Sequence, residues 1–234
     1  MTPNSLINFN TLPPVISYGN AFNTYESAAS ISDENGNLIF YTDGETVRGA
    51  DGNVLPNGAN VSYSPTIVQQ STTQGALFLK KPGSANLYYL FSLGFLNLTA
   101  QRARLSYCVI DRNVNGGLGD VVLQDYVLSV DTLAEKMTAT RHCNGKDYWV
   151  VIVKCITLKA TDGQPVEYDT EFRSFLVTEN GVEPSPVKTR LHTNCTRYGQ
   201  MKFNNAGDEP RVVGRFFFRL FLFFYSPQFV DLIT

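Results

Sequence analysis

Histidine is nearly absent from this chain: only His142 and His192 occur among 234 residues. Catalysis by a Ser-His-Asp or Cys-His arrangement needs a histidine, and neither residue lies in a recognised nucleophile motif. His142 closes a predicted strand, where we expect it to make a structural hydrogen bond. His192 is expected to be a solvated loop residue. The sequence therefore predicts no catalytic residues and a protein that is not an enzyme.

Charge is also scarce. Charged residues make up 17% of the chain, the formal net charge is -2, and Lys and Arg are scattered rather than clustered. A nucleic-acid partner is not expected, because the chain offers no basic patch for a phosphate backbone. The segment 115–120 is rich in glycine but lacks the Lys-Ser/Thr of a phosphate-binding loop. No nucleotide and no other cofactor is predicted.

Metal-binding patterns are missing as well. The four cysteines, at positions 108, 143, 155 and 195, contain no Cys-x-x-Cys pair and no histidine at zinc-finger spacing. Three acidic turns, at 33–35, 51–53 and 208–209, lack the alternating oxygen ligands of an EF-hand calcium loop. We interpret them as ordinary turns, which Asp and Asn favour. No metal site is predicted.

The cysteines are expected to be small buried side chains in strands. A disulfide between Cys143 and Cys155 is excluded, because a predicted strand between them would hold the two residues about 25 Å apart. Other pairings stay open.

No apolar run is long enough to span a membrane. The most apolar segment, 216–225, is interrupted by Arg219 and has about half of the roughly 20 residues that a spanning helix needs. Residues 1–15 lack a basic region followed by a long apolar stretch, so we expect no signal peptide there. A sustained 3.6-residue period is absent too, which predicts almost no helix.

What the chain does contain is a regular alternation of turns and short strands. Eight Asn-Gly or Asp-Gly pairs begin at positions 35, 43, 51, 57, 115, 144, 162 and 180. These pairs favour hairpin turns that need positive φ. Between them lie runs rich in Val, Ile, Tyr and Phe, such as Leu38–Thr42 and the segments 87–93 and 148–153.

The order of these pieces repeats about every 50 residues, each unit being a four-stranded meander. The second strand of each unit is apolar on both faces, as expected of a strand buried between neighbouring sheets. We therefore predict an all-β protein: a partial β-propeller of WD40/YVTN-like type with about three and a half antiparallel blades. The predicted organisation is an extended lead-in at 1–24, blades at 25–60, 73–125, 132–190 and 197–214 (partial), and an atypical apolar tail at 215–234. The tail departs from the strand-and-turn pattern, so we interpret it as a truncated or frame-shifted end.

Several motifs together resemble a family of large secreted proteins of the Bacteroidetes that are associated with gliding motility and type IX secretion sorting domains. The motifs are 23–26, 30–44, 55–58, 115–120, 135–136 and His142-Cys-Asn-Gly-Lys-Asp-Tyr-Trp149. The resemblance implies an extracellular or outer-surface location, with the remaining blades of the parent protein as neighbours. It implies no activity.

In a propeller, the connections between units gather at one end of the central channel. This places ten residues on a candidate binding face: Tyr25, Glu26, Asp43, Glu45, Gln74, Arg102, Glu135, Lys136, Arg197 and Tyr198. Carboxylates beside Lys or Arg, with aromatic neighbours, suit a polar ligand such as a glycan or a peptide.

The leading interpretation is a non-enzymatic surface module for adhesion or recognition, with a protein or glycan partner. One alternative is a lactonase-like or carbohydrate-active hydrolase on the same scaffold, with Glu26, Asp43 and Glu135 converging on the channel. Another is a purely structural part of a larger adhesin, since fold alone does not separate these roles.

Overall fold

The computed structural model describes residues 5–18, 26–62, 72–97, 102–157, 168–203, 210–213 and 220–221. These ranges contain seventeen strands, all paired antiparallel, and one three-residue 3-10 turn at Asn115–Gly117. The prediction of an all-β protein with almost no helix is confirmed for this part of the chain. None of its helical residues forms a helix that is long and apolar enough to cross a membrane.

The strands form a hairpin and four larger sheets that follow one another along the chain. The hairpin consists of β1 (Ser5–Asn8) and β2 (Val15–Tyr18). The first sheet contains β3 (Ala29–Ser32), β4 (Leu38–Thr42) and β5 (Val47–Gly49). The second contains β6 (Ala76–Lys80), β7 (Leu87–Asn97), β8 (Arg102–Asp111) and β9 (Asp120–Asp131). The third contains β10 (Leu133–Arg141), β11 (Tyr148–Thr157), β12 (Tyr168–Thr178), β13 (Gly181–Val182) and β14 (Val187–Leu191). The fourth contains β15 (Gln200–Phe203), β16 (Pro210–Val213) and β17 (Leu220–Phe221).

Each predicted repeat unit has its own sheet, with differences in the outer strands. In the first sheet the expected fourth strand is reduced to a single bridge between Arg48 and Val54. In the third sheet it is divided into β13 and β14, which both pair with β12. The segment expected to be an extended lead-in forms the β1–β2 hairpin over its described part. The Asp-Gly pair at 162 lies outside the described residues.

Two of the acidic turns, at 33–35 and 51–53, are held by their own side chains, and the third, at 208–209, lies outside the described residues. The Asp33 carboxylate accepts hydrogen bonds from the backbone N–H groups of Asn35 and Asn37, at 2.9 and 2.8 Å. The hydrogen bond from the Asn37 side-chain amide, together with these two backbone bonds, holds the pKa of Asp33 below its usual value. Gly36 adopts φ 80°, which a glycine reaches without strain. The interpretation of this segment as a turn is confirmed.

The second strands of the first three sheets are buried on both faces, as predicted. Successive side chains of a strand point to opposite faces, and the following consecutive pairs are each at most 5% exposed: Ile39 and Phe40 of β4, Leu90 and Phe91 of β7, and Val150 and Val151 of β11. Three apolar clusters account for this burial, and each lies between two consecutive sheets. The four sheets therefore pack face to face in chain order.

The sheets also touch through the first strand of each. β3 contacts β6, β6 contacts β10, and β10 contacts β15. In each sheet this first strand is an edge strand, paired only with the strand that follows it in the described chain. The unpaired edges of the first strands are thereby brought together along one side of the stack.

Asp131, at the end of β9, joins the second sheet to the third. Its Oδ2 atom lies 2.7 Å from Lys154 Nζ and 2.7 Å from an Arg173 guanidinium nitrogen. Burial by itself raises the pKa of Asp131, but the hydrogen bonds from Lys154, the Thr132 backbone and Arg173 outweigh it and lower the pKa to about 2.

This pair of contacts predicts an acid-sensitive contribution to stability. Because the folded pKa lies below the unfolded one, the contribution is present above about pH 4 and is lost as the pH falls toward 2. After allowance for solvent screening, we expect Asp131→Asn to lower the free energy of unfolding by about 1 kcal/mol at pH 7. Urea unfolding of the wild type and of Asp131→Asn at pH 7 and pH 2.5 measures this difference in unfolding free energy. Glu34→Gln, in an exposed turn, is the control, and an equal loss for Asp131→Asn at both pH values would contradict the assignment.

Candidate functional site

The starts of the four sheets are joined at one end of the stack by hydrogen bonds. Ser27 Oγ donates to the Thr72 carbonyl at 2.7 Å. The backbone N–H and the hydroxyl of Thr73 donate to Glu135 Oε2, at 3.1 and 2.9 Å. The Glu135 N–H donates to the Arg197 carbonyl at 2.8 Å. A continuous path of contacts therefore runs from the first sheet to the segment that leads into the fourth.

Gln74 completes this junction. Its side-chain amide donates to the Met201 carbonyl at 3.0 Å, and its amide oxygen accepts from the Met201 N–H at 2.7 Å. Both backbone groups on the free edge of β15 at Met201 are thus bonded by one primary amide. We call Ser27, the segment 72–74, Glu135, Lys136, Thr196, Arg197 and Met201 the junction.

Glu135 and Lys136 are the buried charges of the junction, at 4% and 1% exposure. Lys136 Nζ donates to the carbonyl and the hydroxyl of Thr196. Burial lowers the pKa of Lys136 to about 8, although the Glu135 charge opposes the change. Burial also raises the pKa of Glu135, and the nearby Glu26 charge adds to the increase, while the Thr73 hydrogen bonds oppose it.

The ten residues predicted to form a binding face therefore have different roles. Gln74, Glu135 and Lys136 bond other parts of the protein, as does the Arg197 backbone. Their side-chain chemistry is largely used in joining the sheets. We infer a structural contribution for these four of the ten residues.

The remaining described residues of the predicted set differ in exposure and in role. Asp43 is 8% exposed, and its carboxylate caps its own turn by accepting from the N–H groups of Glu45 and Thr46, at 3.1 and 2.8 Å. Three of the others have exposed side chains: Glu26, Arg102 and Tyr198. Glu45 is half-buried, and Tyr25 lies outside the described residues.

An open cavity of about 550 Å³ lies beside the junction, between the first strands. Residues of all four units line it, with small side chains such as Ala28 and Ala76 leaving the space. Its polar lining side chains are Thr73, Gln74, Thr138, Thr140, Gln200 and Lys202. Among the described lining residues there is no carboxylate, and Lys202 is the one charged side chain.

The sequence analysis did not predict most of this lining, because it placed the binding face in the connections between units, whereas most lining residues lie on first strands. Of the six polar side chains, only Gln74 was among the ten predicted. Thr138 and Thr140 belong to β10, and Gln200 and Lys202 belong to β15. The available signal was the position of these residues in the first strand of a repeat unit, since first strands contact one another across units.

The cysteine prediction is partly wrong. Cys155, buried on β11, forms a disulfide with Cys195, which precedes β15. Cys108 is a buried free thiol as expected, whereas Cys143 is exposed. The pairing of Cys155 was hidden from the sequence because it depends on how the fourth unit packs against the third.

The two histidines make local contacts. His142 Nδ1 accepts a hydrogen bond from the Asn144 N–H at 3.1 Å, and its ring packs against Trp149. The expected structural hydrogen bond of His142 is therefore confirmed. His192 is exposed, as expected, and its Nδ1 atom lies 3.1 Å from the buried Asp169 carboxylate. Within the described ranges, no three His, Cys, Asp or Glu residues are grouped so as to hold a metal ion.

Comparison of the chain with protein-family models, with curated proteins and with solved structures returned no match. The resemblance to secreted Bacteroidetes proteins stays a prediction.

Proposed function

We propose that this chain forms blades of a β-propeller and acts as a non-enzymatic recognition module of a secreted or cell-surface protein. The observation that carries the proposal is the contact of successive first strands, which surround a cavity lined by all four units. Blades arranged around an axis bring their innermost strands together in this way. The cavity volume lies within the range of small-molecule sites.

The chemistry of the cavity favours recognition over hydrolysis. A glycosidase needs two carboxylates that face each other across the substrate. Here Glu135 is bonded to Thr73, and Asp43 caps its own turn, so neither is offered to the cavity as a free carboxylate. Hydroxyl and amide side chains with one amine are suited to hydrogen bonding with a polar ligand.

The Cys155–Cys195 disulfide supports the extracellular part of the proposal. Disulfides persist in oxidising compartments and are rare in the reducing cytosol. An outer-surface location also agrees with the resemblance to the Bacteroidetes proteins and with a role in adhesion.

Binding to glycan and peptide arrays tests the proposed function. We expect the protein to bind a limited set of probes, and Ala28→Trp to weaken that binding strongly because an indole would occupy part of the cavity. Ala50→Trp is the matched control, because Ala50 is also exposed but lies in the turn after β5 and is not among the residues that line the cavity. Absence of binding to every probe would favour a purely structural part of an adhesin.

A further inference from the structure

We propose that the cavity binds an acidic glycan, and that the amine of Lys202 pairs with the carboxylate of a sugar ring. This inference rests on the proposed recognition function and assigns a ligand class to the same cavity. It relies on lining side chains that have no partner within the described chain, and it requires no free backbone group on any strand.

The polar lining side chains divide into those that the protein already uses and those that it leaves free. Thr73 donates to Glu135, and Gln74 bonds both backbone groups of Met201. Thr140 also has an interaction partner. These three lining side chains are therefore excluded from the proposed ligand contacts.

Three polar side chains remain: the Thr138 hydroxyl on β10, and the Gln200 amide and the Lys202 amine on β15. None of them forms a hydrogen bond or an ion pair with another residue of the described chain. Each is at least partly exposed to solvent. The three line one cavity and their two strands contact each other, so one bound molecule can contact all of them.

The charge of the lining favours an anionic ligand. Lys202 is the one charged side chain among the described lining residues, and no described carboxylate lies within ion-pair distance of its amine. A hydrogen bond between an ionised donor and an ionised acceptor is roughly twice as strong as a neutral one. A single amine matches the single charge of a carboxylate, whereas bound phosphate groups generally use several cations or backbone N–H groups.

The neutral groups favour a sugar as the carrier of that carboxylate. The Thr138 hydroxyl and the Gln200 amide both donate and accept hydrogen bonds, which matches the hydroxyls of a sugar. Gln200 and Lys202 are two positions apart on β15, so they lie on the same face of the strand, about 7 Å apart. A hexuronic acid carries its carboxylate and its ring hydroxyls within this span. Leu77 and Phe203 add apolar lining for the C–H groups of the ring.

The test uses four disaccharides that end in glucuronic, galacturonic, mannuronic or iduronic acid, each paired with its carboxyl-reduced neutral counterpart. Isothermal titration calorimetry with the whole chain measures the Kd of each sugar. We expect at least one acid to bind, with a Kd roughly ten- to hundredfold below that of its neutral counterpart. Lys202→Gln should raise the Kd of the acid to that of the neutral sugar.

Two further variants separate the charge from the hydrogen bonds. Thr138→Val removes the hydroxyl and keeps the shape of the side chain, so it should weaken the binding of acid and neutral sugar alike by roughly three- to tenfold. Lys188→Gln is the matched control for Lys202→Gln. Lys188 is exposed on β14 and is not among the lining residues, so its replacement should leave every Kd unchanged.

Equal Kd values for the acid and the neutral sugar, or for the wild type and Lys202→Gln, would overturn the proposal. Binding of peptide probes or of neutral glycans without binding of any uronide would also overturn it, while leaving the recognition function standing. Binding to no glycan and no peptide probe would overturn both.

Discussion

Replacement of both Cys155 and Cys195 with alanine should lower the free energy of unfolding by about 4 kcal/mol. The disulfide joins residues 40 positions apart, and the chain-entropy relation for a loop of this length gives about that value. Cys155 lies in the core between the third and fourth sheets, together with Met201. Loss of the bond should therefore weaken the attachment of the fourth sheet first.

Urea unfolding followed by tryptophan fluorescence measures this effect, since Trp149 lies on β11 in the same sheet as Cys155. Reduction of the wild-type protein should produce most of the same loss. Cys143→Ala is the matched control, because Cys143 is exposed and unpaired. A double variant as stable as the wild type would show that the bond contributes nothing to the attachment.

The second large effect concerns Lys136 and alkaline pH. Its folded pKa, about 8, lies below the unfolded value of 10.5, so the unfolded chain binds more protons between these pH values. The contribution of Lys136 to stability should therefore increase as the pH rises from about 8 to 10.5. The upper bound of the increase is about 3 kcal/mol, and the hydrogen bonds to Thr196, which favour the charged amine, reduce it.

The measurement is the difference in unfolding free energy between wild type and Lys136→Met at pH 7, 8.5 and 10. Both proteins contain the other groups that titrate in this range, such as Cys108, whose pKa burial raises to about 11. Their contributions to the unfolding free energy therefore cancel in the difference. As the pH rises, the unfolding free energy of the wild type should increase relative to that of Lys136→Met. Lys146→Met, in an exposed turn, should give a constant difference. A constant difference for Lys136→Met would contradict the burial of a charged amine at the junction.

Much of the local structure was predictable because short-range chemistry decides it. The Asn-Gly and Asp-Gly pairs predicted positive φ, which Gly36, Gly52 and Gly145 adopt. The apolar character of both faces of 148–153 predicted a strand covered on both sides, and Val150 and Val151 are at most 1% exposed. These signals lie within ten residues of the structure they specify.

The contacts between units were not predictable in the same way. Gln74 and Met201 are separated by 127 positions, and Cys155 and Cys195 by 40. Gln74 and Met201 belong to the second and fourth units, and Cys155 and Cys195 join the third unit to the segment before β15. Each pair meets only because whole sheets pack in order, and the residue types alone carry no information about the partner. The sequence likewise predicted Glu135 and Lys136 as ligand-binding residues; in the structure both lie on β10, and their side chains bond other segments of the protein.

The central claim is that the sheets are arranged around their first strands, as blades around an axis. Pulsed electron resonance on doubly spin-labelled variants tests it with two pairs of exposed sites in the second and third sheets. One pair, Lys80 and Arg141, ends the first strands of these sheets, and the other, Gln124 and Lys188, lies on their outer strands. We predict a clearly longer separation for the outer pair. Equal separations would indicate a parallel stack of sheets and would contradict the proposed propeller.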